Sequence, residues 1–481
     1  MSRAAVHGAA WTALQIWGAT VASFVVFVIL GRLLRPAEFG VVAAAYTVTL
    51  LFRVIVDAGF TRYLIQRRSL PLIYADTAFW MSVVVALILT VIVILLAPYF
   101  ALLFGIPRLT IVIRVLSVLL ILTALDATQS GLLDRNMRFR VQAIRNLIAT
   151  AAAGIVAVSL ALAGAGVWAL VAQQLALETV TVVLLWSLSG WRPRFRASTR
   201  CLRDLFPFGV RMSSIRVTQF AMTNADNFFV GIVFGRVALG FYVIAYRMFS
   251  VLNDLLITVI NRVALSTFSR LQHKSELVNS AFYRASRVGS VLTLPTYVGL
   301  ALLSRQVIIL LFGARWIPSA PLLSVLMVAA FAQGQLALCG SYATGIGWIR
   351  NEFRWTVSIA AVQVGAFAVA AHFSVFAVAA SVGIVLLVAW PIRLLPLRKI
   401  GGIRLSEYFA HYPRLVASTL VMAGGVVAIR YQVTGASPAV ALAVEIPAGV
   451  ILLFGSLRFM APGLLSELKQ TARIMRPARG A

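Results

Sequence analysis

Long apolar blocks separated by short polar gaps run along this chain almost from end to end. Spanning a bilayer takes about 20 apolar residues in a helix, and fourteen blocks meet that length. They lie near residues 9–30, 41–60, 77–97, 109–127, 144–163, 166–188, 206–232, 237–260, 288–312, 319–345, 355–371, 374–392, 413–430 and 438–457. The pattern predicts an all-α polytopic membrane protein. The first block follows Arg3 but is too long for a typical signal-peptide core and lacks a clear small-residue cleavage site, so it is expected as a retained span. The stretch 261–287, mixed apolar and basic, is expected to hold a helix lying on the membrane surface.

Charge turns this pattern into a topology. The chain is 61% hydrophobic with a mean hydropathy of +0.95, yet its net charge is +28. In a soluble protein that balance would point to nucleic acid. Here 30 of the 42 basic residues fall at the N-terminus, in the gaps after even-numbered blocks and in the C-terminal tail, against seven in the other gaps. By the positive-inside rule both termini are cytoplasmic, and a nucleic-acid partner is not expected. No outward gap exceeds about a dozen residues, which leaves no room for an outer catalytic domain.

Arg53, Arg114, Arg211, Arg216 and Arg247 fall within blocks, where a central charge costs about 2.5–3.5 kcal/mol on insertion scales. Arg114 and Arg211 lie near span ends and are expected to snorkel; Arg53, Arg216 and Arg247 need another reason. In the seventh block Arg216, Gln219, Thr223, Asp226 and Asn227 share one face at the helical 100° per residue. The eighth carries Arg247, Ser250 and Asp254 with Tyr246 and Asn253 beside them, the second Arg53 and Asp57, and the sixth Gln174, Glu178 and Thr181. Two readings compete. Arg53 with Asp57, and Arg247 with Asp254, would neutralise one another inside helix packing, or the polar faces would line a water-filled cavity. The cavity is favoured for the seventh-block stripe, where unpaired groups outnumber partners. Asp126 is expected at the interface, and Glu445 sits alone in the last block. Cys201 and Cys339 are far apart, and no histidine pair has metal-ligand spacing, so no metal site is expected.

An internal repeat at an offset of 200 to 208 residues supports two lobes. Gly31-Arg32, Phe39-Gly40 and Tyr46 correspond to Gly235-Arg236, Leu239-Gly240 and Tyr246; Leu103-Phe104-Gly105 corresponds to Leu311-Phe312-Gly313, each followed shortly by Ile-Pro. The offset spans six blocks, an even number, so the lobes would be parallel, related by an axis along the membrane normal. The expected domains are a six-helix lobe over 1–190, a second over 205–395, two further helices over 410–460, and a basic tail over 461–481.

Several runs occur in a recognisable order. They are Gly31-Arg32-Leu33-Leu34 with Glu38-Phe39-Gly40, Asp57-Ala58-Gly59-Phe60 with Leu64-Ile65-Gln66-Arg67, Thr77-Ala78-Phe79-Trp80 and Arg138-Phe139-Arg140. The series continues with Gly166-Val167-Trp168-Ala169-Leu170-Val171 and Gln173-Gln174, Asp226-Asn227, Ala245-Tyr246-Arg247 and Arg315-Trp316-Ile317-Pro318. Over about the first 350 residues the chain resembles bacterial O-antigen and exopolysaccharide flippases of the polysaccharide transporter family, within the multidrug/oligosaccharidyl-lipid/polysaccharide exporter superfamily. The resemblance implies two six-helix lobes around a central cavity plus two C-terminal helices. It also implies alternating access carrying an undecaprenyl-diphosphate-linked oligosaccharide across the bacterial inner membrane.

The resemblance carries over only Asp57, Gln174, Asp226, Asn227, Tyr246 and Arg247; with the polar faces added, the candidate substrate-binding residues are Arg53, Gln174, Arg216, Gln219, Thr223, Asn227, Tyr246 and Arg247. Asp57, Glu178, Asp226 and Asp254 are candidates for coupling to H⁺ or Na⁺, with no other cofactor and no catalytic residue. Polymerase and glycosyltransferases of the same pathway are the expected protein partners. Competing readings are a cation-coupled multidrug exporter of the same superfamily, a membrane glycan polymerase or ligase, and a non-transporting scramblase or scaffold.

Overall fold

The structure is a computed structural model that describes residues 18, 20–57, 63–64, 71–433 and 435–467. Every regular element within them is helical. In chain order these are α1 (Thr20–Leu33), α2 (Pro36–Asp57), α3 (Leu72–Leu103), α4 (Leu109–Leu116), α5 (Val118–Arg135), α6 (Phe139–Leu162), α7 (Val167–Leu188) and α8 (Thr199–Leu271). There follow α9 (Ser275–Phe312), α10 (Ser319–Gly345), α11 (Ile349–Ala370), α12 (Val375–Gly401), α13 (Leu405–Phe409), α14 (Tyr412–Gln432) and α15 (Pro438–Met460).

Among the described residues twelve helices are long and apolar enough to cross a bilayer. One of them, α8, has 73 residues; as a single rod it would reach about 110 Å at 1.5 Å per residue, over three times a hydrocarbon core. It is two spans. Gly235, at φ 77° and ψ −176°, breaks it into 199–234 and 236–271, a conformation that glycine alone adopts readily. With that division the described residues hold thirteen of the expected fourteen spans, and α1 is the described part of the first block.

The predicted surface helix over 261–287 does not exist as a separate element. α8 continues to Leu271, a three-residue turn follows, and α9 starts at Ser275. The amphipathic signal there came from the ends of two long helices that run on past their apolar cores.

The lipid-facing surface is legible on α3, where Leu87, Ile88, Val91 and Leu95 are all exposed at helical spacing. Such a stripe is stable only against hydrocarbon.

The chain divides into two compact units, residues 1–243 and 244–481. In the first, α2 packs on α3, α4, α5 and α7, and α6 lies along α7. In the second, α10 is packed between α9 and α12, and the α14–α15 hairpin lies on α9. Four of the residues turned inward on α10 are small: Ala329, Ala330, Ala332 and Ala343 are fully buried, letting helices approach closely where lipid offers no hydrophobic drive.

Candidate functional site

In the first unit, α2 and α7 bring Arg53 and Glu178 into an ion pair across 125 residues of sequence. Both side chains are largely enclosed, at 19% and 9% exposure. Arg53 thus has a partner on another helix; the side chain of Asp57, the neighbour one turn away, lies outside the described residues. Gln174, half-buried, stands one turn before Glu178 on α7.

The predicted stripe on 199–234 splits in two. Arg216 is half-buried, while Gln219 and Thr223 are exposed. The Thr223 hydroxyl donates to the Gln219 carbonyl at 3.0 Å and accepts from Asn224 Nδ2 at 2.9 Å. One turn further the stripe closes into the fold, because Asp226 and Asn227 are buried. Asp226 Oδ2 accepts from the Tyr242 hydroxyl at 2.6 Å, and Oδ1 accepts the Asn227 N–H at 2.8 Å. Tyr242 is fully buried beyond the Gly235 break, so this bond joins the two halves of α8. Asn227 Oδ1 is buried with no hydrogen-bond partner among the described residues.

In the second unit, Tyr246 packs its ring at 5.4 Å from Phe249, Arg247 is half-buried, and Asp254 is exposed. Asn253 is committed elsewhere: it donates to Gln333 Oε1 at 2.6 Å and accepts from the Tyr297 hydroxyl at 3.0 Å.

Several charged groups escaped sequence reasoning. Glu445, expected to be alone, is fully buried and accepts from Arg430 Nε at 3.4 Å, while Arg430 also reaches the Leu302 carbonyl at 2.9 Å. The signal was available, since the two residues belong to consecutive helices of one hairpin. Arg393, assigned to a polar gap, is 1% exposed. It pairs with Glu352 and lies 4.9 Å from the Trp355 ring centroid, a desolvated cation that needs both partners. Arg145, at the edge of the fifth block, is buried beside Asp126 at 3.9 Å and Ser130 at 3.0 Å. A polar network of Ser286, Gln335, Tyr408 and Tyr412 lies inside the second unit, with the Tyr408 hydroxyl donating to Gln335 Oε1 at 3.1 Å. No pattern in the sequence joins these four.

A cavity of about 270 Å³ opens between α9, α14 and α15, lined by Leu300, Leu303, Met422, Val426, Ile446 and Leu453. Its wall is apolar except for Thr296 and Glu445, so it suits a hydrocarbon chain rather than a sugar.

These features define a polytopic all-α membrane protein with polar groups held inside its spans. The solved structure of the lipid II flippase MurJ in an inward closed conformation has the same fold, with a TM-score of 0.78 at 12% identity over 94% of this chain and 99% of that one. The chain belongs to the family described as polysaccharide biosynthesis protein, whose model matches residues 29–321. Among its relatives, the succinoglycan biosynthesis transport protein ExoT of Rhizobium meliloti (strain 1021) is 29% identical over 74% of this chain and 72% of its own length. The teichuronic acid biosynthesis protein TuaB of Bacillus subtilis (strain 168) is 23% identical over 98% of both chains.

Proposed function

We propose that this protein is a flippase that moves an undecaprenyl-diphosphate-linked oligosaccharide from the cytoplasmic to the outer leaflet of a bacterial inner membrane, by alternating access of two lobes. Both termini are cytoplasmic in this reading, as the 30-to-7 division of basic residues requires. The observation that carries it is the open end of the α8 stripe. Half-buried Arg216 followed by exposed Gln219 and Thr223 leaves a hydrophilic face on a membrane span. In a bilayer such a face needs water or a polar cargo against it.

The cargo chemistry follows from the side chains. Arg216 and Arg247 present planar guanidinium forks that match diphosphate oxygens. Gln174, Gln219, Thr223, Asn227 and Tyr246 offer donors and acceptors for sugar hydroxyls. The apolar cavity between α9, α14 and α15 is of a kind to shelter part of the polyprenyl tail. Arg53 is tied to Glu178, and Asp226 to Tyr242, so Asp254 is the exposed acid among the described candidates for H⁺ or Na⁺ coupling. Family relatives named for exopolysaccharide and teichuronic acid biosynthesis support a glycan cargo.

Proteoliposomes loaded with a labelled lipid-linked glycan test the reading. Translocation, read by access of an added glycosidase, is expected for the native protein and lost in Arg216→Gln. Efflux of lipophilic cations without glycan movement would favour the multidrug exporter, and formation of a new glycosidic bond would favour a polymerase or ligase.

A further inference from the structure

The last turn of α12 and its connection to α13 carry two cations, Arg398 and Arg404, that the reading above uses only for orientation. α12 ends at Gly401, and Gly402 caps it in the left-handed region at φ 70°. The backbone that follows is fastened on both sides. Asn279 Nδ2 donates to the Gly401 carbonyl at 2.7 Å, and Asn279 Oδ1 in turn accepts from the Tyr342 hydroxyl at 2.5 Å. The Arg404 N–H donates to the Tyr283 hydroxyl oxygen at 2.7 Å, and Ile403 between them is 1% exposed. Over this frame Arg398, Gly402, Arg404 and Ser406 line an open cleft of about 480 Å³. The Arg398 and Arg404 side chains are exposed, and neither guanidinium makes a hydrogen bond or ion pair among the described residues. The neighbouring charges are Lys399 and Glu407, both exposed and neither lining the cleft.

We propose that this cleft binds the phosphate-bearing headgroup of a lipid in the adjoining leaflet, with Arg398 and Arg404 as its ligands. The cleft opens where the membrane-crossing α12 ends, the depth at which headgroups lie. Two guanidiniums present planar donor forks that phosphate oxygens accept bidentately. The Ser406 hydroxyl adds a donor. Complementing the helix macrodipole would account for Arg398 in the last turn of α12. It does not account for Arg404, which lies beyond the helix on a backbone held by Tyr283. The proposal deepens the transport reading, on which it rests only for the identity of the lipid, since a carrier diphosphate captured here would wait at the face we assign to the cytoplasm.

The test is binding by the full-length protein in nanodiscs of neutral lipid, with farnesyl diphosphate, phosphatidylglycerol and inorganic pyrophosphate as probes. The double variant R398Q/R404Q is expected to weaken farnesyl diphosphate binding at least about tenfold, as expected for lost charge-assisted hydrogen bonds, with elution and Tm unchanged because both side chains are exposed. Preference for farnesyl diphosphate over phosphatidylglycerol identifies a carrier lipid, and equal competition identifies a bulk phospholipid; both support the site. Equal affinity in the double variant overturns the proposal, as does pyrophosphate binding as tightly as the prenyl diphosphate. Binding without translocation in proteoliposomes would leave this site standing while removing the function proposed above.

Discussion

Gly40 and Gly240 hold the two halves of one reciprocal contact: a Cβ at Gly40 would run into the Arg236 carbonyl, and a Cβ at Gly240 would run into the Pro36 carbonyl. The two glycines are 200 residues apart and occupy equivalent positions in the internal repeat, so the repeat has a direct expression in backbone packing. Two helix starts cross where neither has room for a side chain.

Gly40→Ala and Gly240→Ala should each destabilise the protein by about 1–3 kcal/mol, the usual cost of overpacking against groups that cannot yield. Gly365→Ala is the control, since its Cβ would meet nothing within 4 Å and alanine favours the helix by up to about 1 kcal/mol. Thermal unfolding in detergent should therefore lower Tm for the first two and leave or raise it for the third.

Tyr242→Phe removes the donor to Asp226 and leaves a buried acceptor unsatisfied, a loss of about 1–3 kcal/mol. Asp226→Asn keeps an acceptor toward Tyr242 and should cost less. If Asp226 serves mainly to fasten the two halves of α8, transport should fall in the order of Tm across both variants. A transport loss in Asp226→Asn at unchanged Tm would instead show a role in coupling.

The Arg53–Glu178 pair predicts asymmetric outcomes. Removing one member, as in Arg53→Met or Glu178→Met, strands an enclosed charge and should cost about 3–5 kcal/mol. The double variant Arg53→Met/Glu178→Met should recover most of that stability, because no unpaired charge remains. Chemical denaturation of the three variants reads the difference, and additivity of the single losses would contradict the pairing.

Arg393 lies 4.9 Å from Trp355 and 5.9 Å from Trp348. Arg393→Gln should both lower Tm and change indole fluorescence, since a cation is withdrawn from two ring faces. Arg398→Gln, in the same helix but exposed, should change neither. Trp355→Phe in the Arg393→Gln background should reduce the spectral change if Trp355 is the principal ring.

How much of this was legible beforehand differs by kind of feature. The spans were readable because crossing a bilayer demands apolar runs of a set length, and even the Gly235 break was visible as a gap between two blocks. The buried arginines were not. Arg393 and Arg145 sit beside polar gaps, and linear position made them look like topology markers; only the folded chain brings Glu352 and Asp126 within reach. The supposed surface helix over 261–287 misled for a related reason, since helix ends projecting past the hydrocarbon core acquire the same mixed composition as a helix lying on the membrane.

Composition along the chain was enough to show an all-α membrane protein of twelve to fourteen spans and, through its charge pattern, the orientation proposed here. Those properties depend on the solvent each residue meets, which local composition encodes. Which groups meet was settled by packing: Arg53 with Glu178, Asp226 with Tyr242, Glu445 with Arg430. Inside a low-dielectric interior a charge is satisfied by whichever opposite group the helix packing delivers to within a few ångströms, and sequence separation does not measure that distance.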